Sequence, residues 1–99
     1  MHYYDGGSIM AVERDGNYSV VMIRDFGKAW KRRTARIMLI KPSVTEEELK
    51  NITLRIWEEN GQDVDEMITV FFLPGMNTDS VAYSFGSCMK DGIPRISYR

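Results

Sequence analysis

Apolar positions along this chain recur with two periods, and the switches between them outline its elements. The most apolar run, residues 67–76, reads Met-Ile-Thr-Val-Phe-Phe-Leu-Pro-Gly-Met. Its β-branched and aromatic content and its Pro-Gly ending predict a central strand closed by a tight turn. Ile68, Val70 and Phe72 fall on one face of that strand and Met67, Phe71 and Leu73 on the other, so both faces are apolar. Pro74 and Gly75 suit the middle positions of a type II turn, which need a fixed φ and then a positive one.

Strand-like runs flank this centre. Residues 9–14 and 18–24 are separated by Asp15-Gly16-Asn17, a hairpin signal, because such turns need the positive φ that these residues adopt cheaply. A third strand is expected over 34–41, where Ile37, Met38, Leu39 and Ile40 are consecutive and Pro42 removes the next ladder donor. A fifth is expected over 81–88. There Val81, Tyr83 and Phe85 alternate with the small residues Ala82, Ser84, Gly86 and Cys88, which would let the helix approach closely at Trp57. Residues 93–98, opened by Pro94 and carrying Arg95, Ser97 and Arg99 outward, suit an edge strand.

The period changes to 3.6 over about 46–60. Thr45 and Glu48 have the spacing of a capping box, Val44 and Leu49 that of a hydrophobic staple, and Glu46 and Glu47 favour the positive end of the helix dipole. Leu49, Ile52, Ile56 and Trp57 form the apolar stripe, and Asn60-Gly61 is expected to supply a left-handed stop. The sum is one α+β domain over residues 1–99. Five or six strands in the order β-β-β-α-β-β-β form a mainly antiparallel sheet with the helix on one face. The third and fourth strands, joined through the helix, suit a right-handed crossover that would make them parallel. One helix covers about one face, so the other face either curls on itself or meets a partner, a second copy included.

The segment from Phe71 to Met76, followed by Ala82-Tyr83, resembles a bacterial family of unknown function. Its members have an aromatic strand ending in Leu-Pro-Gly-Met and then a small–aromatic pair. The similarity spans about residues 33–85, with Tyr83 where the family carries Trp. It implies the fold described above and brings no activity, cofactor or site residue.

Composition narrows the functional classes. With 43% hydrophobic and 27% charged residues and a formal net charge of −1, the chain carries no global field for nucleic acid or anionic lipid. Its apolar runs reach only four residues, against the ~20 needed to span a bilayer, and residues 1–7 lack the basic and apolar regions of a signal peptide, so a cytoplasmic location is expected. One His and one Cys support neither a metal site nor a nucleophile–base pair, and Cys88 reads as a small buried hydrophobe. No cofactor is expected. The acidic groups at 46–48, 58–59 and 63–66 read as cap, solvated helix face and linker.

The basic cluster carries the sharpest signal. Lys28, Lys31, Arg32, Arg33 and Arg36 flank Trp30, a composition suited to phosphate contacts with base stacking. A charged loop that keeps a sheet edge soluble is the simpler reading, favoured by the acidic helix and the near-zero net charge. The expected function is a small non-enzymatic module that binds a protein, of inhibitor or adaptor type, with Trp30, Lys31, Arg32, Arg33, Arg36 and Met76 as contact residues. Nucleic-acid binding through the same loop is the alternative, and an enzyme of unknown type is the third.

Overall fold

A computed structural model describes residues 9–14, 18–26, 31–79 and 81–98. The expected 15–17 turn, the 1–7 lead-in, Lys28 and Trp30 lie outside the described residues. Six strands, β1 (Ile9–Arg14), β2 (Tyr18–Phe26), β3 (Arg32–Leu39), β4 (Glu66–Phe72), β5 (Ser84–Met89) and β6 (Arg95–Tyr98), form one sheet in sequential order. The single helix α1 (Glu46–Asn60) lies between β3 and β4 in sequence. The chain is thus α+β, and its sheet is mixed. β3 and β4 pair in parallel, while the other neighbouring strands pair antiparallel. A parallel pair cannot be joined by a tight turn, and α1 supplies the long connection it requires.

The helix begins as its sequence dictates. Thr45 Oγ1 accepts from the Glu48 N–H at 3.1 Å, and Glu48 Oε1 accepts from the Thr45 N–H at 2.8 Å. Lys41 Nζ donates to the same Glu48 carboxylate at 2.7 Å, tying the helix start to the end of β3. The other end departs from expectation. Gly61 has φ −118°, so no left-handed stop forms there. Its N–H closes on the Trp57 carbonyl at 2.8 Å. Glycine is needed here for space, because a Cβ would lie 2.8 Å from Trp57 Cδ1.

α1 packs on one face of the sheet through Leu49, Ile52, Thr53 and Ile56. On that face β3 presents Ala35, Ile37 and Leu39, and β4 presents Met67, Thr69 and Phe71, all fully buried. The small residues of β5 do admit the helix, but at Thr53 instead of Trp57. A Cβ on Gly86 would meet Thr53 Oγ1 and Thr69 Oγ1, each at 2.4 Å, and those two hydroxyls share a 2.8 Å hydrogen bond. Cys88 is buried on the same row, and burial pushes its thiol pKa up. The central strand ends in the expected turn: Gly75 has φ 86°, and the Met76 N–H donates to the Leu73 carbonyl at 3.0 Å. Val81 and Tyr83 precede β5 instead of opening it, and Ile40 lies beyond β3, 47% exposed. Among the described residues no helix is long and apolar enough to cross a membrane.

Gly86→Ala tests the helix seat. The added methyl must push apart the Thr53–Thr69 pair, so a loss of about 1–3 kcal/mol in urea unfolding is expected, whereas Gly75→Asn, at an open turn position, should cost far less.

Candidate functional site

The basic residues of β3 alternate between the two faces of the sheet, and that alternation separates their roles. Arg33 shares its face with Ala35, Ile37 and Leu39 and is only 5% exposed. Expected as a surface contact residue, it is instead an internal clamp. Its Nε and Nη2 donate to Asp25 on β2, its Nη1 and Nη2 to Asp63 at 2.8 and 3.1 Å, and its Nη1 also to the Asn60 carbonyl at the end of α1. All the N–H donors of the guanidinium are thereby used.

The physical reason lies in the helix. Its last turn contains no basic residue and carries Glu58 and Glu59, so the negative end of its dipole has no cation of its own. Arg33 reaches it from the neighbouring strand. Asp25 is the direct cross-strand partner of Arg33, and Asp63 arrives on the link from α1 to β4. The Asp25 hydrogen bonds, opposed by burial and aided by Asp63, raise the Arg33 pKa above its ordinary value. Chiefly through its hydrogen bonds to Arg33, Asp63 is held below the usual carboxylate range.

Lys31 stands just before β3 with φ 49°, a left-handed conformation uncommon for a residue with a side chain. Its carbonyl accepts from the N–H groups of Asp65 (2.8 Å) and Glu66 (3.4 Å), which starts the parallel pairing with β4. The Lys31 side chain is exposed.

Arg32 and Arg36 lie on the opposite face, away from the helix, and carboxylates of the same chain engage both. Arg32 Nε bridges to Glu66, its register partner on β4, at 3.0 Å. Arg36 Nη1 donates to the Thr78 carbonyl at 3.0 Å and lies 3.2 Å from Asp79 Oδ1, drawing the β4–β5 loop over one end of the sheet. Met76, on that loop, is half-buried, and its sulfur accepts from the Leu73 N–H at 3.2 Å. The described contact residues therefore do not form one patch: Arg33 is internal, Lys31 stands just before β3, Arg32 and Arg36 lie on the other face of that strand, and Met76 is on the β4–β5 loop.

The residues that stand out on that face are not among the contact residues expected from the sequence, although Ile68, Val70 and Phe85 were each placed on a strand face. Ile68 and Val70 of β4 lie between Thr34 and Arg36 of β3 and Phe85 and Ser87 of β5. Phe85 is 37% exposed and Met89, two positions beyond Ser87, is 44% exposed. Met22 and Arg24 of β2 continue the surface and form with Thr34 and Arg36 a groove of about 150 Å³. The signal available earlier was the apolar character of the central strand on both sides. Among the described residues no group of three or more His, Cys, Asp or Glu side chains is placed to hold a metal ion.

Arg33→Lys is expected to destabilise the fold by about 2–4 kcal/mol in urea unfolding, because an ammonium with three donors cannot replace the five directed N–H bonds of the guanidinium. A loss under ~0.5 kcal/mol would show that the clamp is incidental. The stabilisation from Asp63 is fully present above its unfolded pKa near 4 and is lost as the pH falls through its lower folded value. Asp63→Asn should therefore flatten the acid limb of a stability–pH curve below about pH 4.

Comparison with protein-family models, with curated proteins and with solved structures gives no match for this chain.

Proposed function

We propose that the chain is a small binding module that works through protein–protein contact, of inhibitor or adaptor type, and that it docks through the sheet face opposite α1. The observation that carries this reading is the apolar band of Ile68, Val70 and Phe85 at the middle of that face, with Met89 at its end, bordered by Arg24, Arg32 and Arg95. A small domain gains from covering such a surface, and an apolar centre with a polar rim is the usual anatomy of a protein interface. The bordering arginines combine aliphatic contact area with directed donors, which suits them to an interface rim. This shifts the contact surface from the expected basic loop to the open sheet, with Arg32 and Arg36 retained as rim residues.

Nucleic-acid binding through the loop draws less support from the geometry. Arg32, Arg33 and Arg36 are each engaged by carboxylates of the same chain, so phosphate would have to compete with contacts already made.

The test is capture of binding proteins by the tagged chain at native expression level, with and without Phe85→Glu. A specific partner that the variant loses, while its far-UV circular dichroism and melting temperature stay as in the wild type, is the expected result. Retention of every partner by the folded variant would remove this face from the function.

A further inference from the structure

We infer that the occupant of the open sheet face is a second copy of this chain, the two sheets packing face to face with the helices outward. The inference rests on the reading of that face as a docking surface and assigns its partner.

Three observations carry it. The first is area. Six strands spaced about 4.8 Å apart, at about 3.3 Å per residue, give a face of roughly 600 Å² in flat projection, less the end at Phe72, which is only 1% exposed. The open part, with its side-chain relief, falls at the small end of the scale on which each partner of a standard interface contributes ~800 Å² of accessible surface. The second is shape. The face is a broad sheet whose groove, about 150 Å³, is small beside the roughly 300–1,000 Å³ of a ligand pocket. Two identical sheets have the same twist, and matched twist is what lets sheets pack aligned at about −30° over their whole area.

The third observation is charge. Arg32 bridges to Glu66, Arg36 to Asp79, and Arg95 to Asp91 at 2.8 Å. Together with exposed Arg24, the described face and its border thus carry four cations against three anions. With three of the four arginines paired within the chain, only one net cation per copy remains, and a second copy meets little like-charge repulsion. A strongly acidic partner would find its complementary charge already committed. In a two-fold arrangement each apolar position faces the same band on the partner, so Phe85 and Met89 are desolvated on both sides at once.

The experiment is sedimentation velocity and light scattering on the full chain from about 5 to 200 μM, a range that detects dimers down to roughly micromolar–millimolar Kd. The expected result is the mass of two chains. It should persist as salt is raised from about 0.05 to 0.5 M, because charges compensated within each copy leave little for salt to screen. Phe85→Glu and Ser87→Arg should each shift the dimer to monomer by at least tenfold in Kd. Ser87→Arg adds a charge without removing an apolar contact and covers the case in which the Phe85 variant fails to fold. A single-chain mass at about 200 μM overturns the inference. So does a dimer that the folded Ser87→Arg variant leaves intact, since it would use another surface. If the chain is monomeric yet loses a captured protein on Phe85→Glu, the assignment of the partner fails and the docking face stands. A monomer whose captured proteins ignore Phe85→Glu sinks both.

Discussion

The buried guanidinium of Arg33 fixes the relation between the helix and the sheet. It sits near the start of β3, where the chain must return from the end of α1 to begin β4 alongside. Asp25 arrives from β2, the Asn60 carbonyl from the helix and Asp63 from the following link, and one planar group holds all three. Burying a cation is costly unless its donors are satisfied, and here every donor is. Both carboxylates remain substantially exposed, Asp25 at 52% and Asp63 at 71%, so water shares the task of solvating the excess negative charge. Lys31 reinforces the junction with its backbone, accepting from the first residues of the returning strand. The parallel pairing thus starts from a junction built of ionic and backbone contacts at one end of the sheet.

This clamp changes the meaning of the basic segment. A run of Lys and Arg beside an aromatic looks like a surface for polyanions, yet strand alternation sends Arg33 inward and Arg32 and Arg36 outward. Once inside, Arg33 serves the helix dipole. Outside, Arg32 and Arg36 serve Glu66 and the β4–β5 loop. The apolar middle of the sheet is left partly exposed, and the function proposed for the chain follows from that redistribution.

The helix side shows how tightly the other layer is closed. Gly86 leaves room for a hydroxyl pair, Thr53 with Thr69, in the middle of the helix–sheet contact. One hydroxyl donates to the other, which offsets part of the cost of burying them. With that face sealed by α1 and the opposite face carrying half-exposed Phe85 and Met89, the two sides of one strand layer have different fates.

Much of the fold was legible in the residue pattern. The capping box at Thr45 and Glu48, the alternation in the strands and the Leu73–Met76 turn are set by neighbours within a few positions, and their structures follow from local hydrogen bonding and steric preference. The small row ending at Cys88 likewise announced a close helix. Which helix residue would fill it was not legible, because Thr53 against Gly86 and Thr69 is decided by the height and rotation of α1 over the sheet. The same holds for Gly61, whose conformation answers to Trp57 packing and to Arg33 at the neighbouring carbonyl instead of to the usual left-handed stop. The central strand, apolar on both sides by its own sequence, told that two faces needed covering. Only the tertiary structure decided that Arg33 is a clamp and that the face of Ile68, Val70 and Phe85 is the open one. The partners of Arg33 lie 8, 27 and 30 positions away, and no local pattern records which distant charges a sheet will bring to one corner.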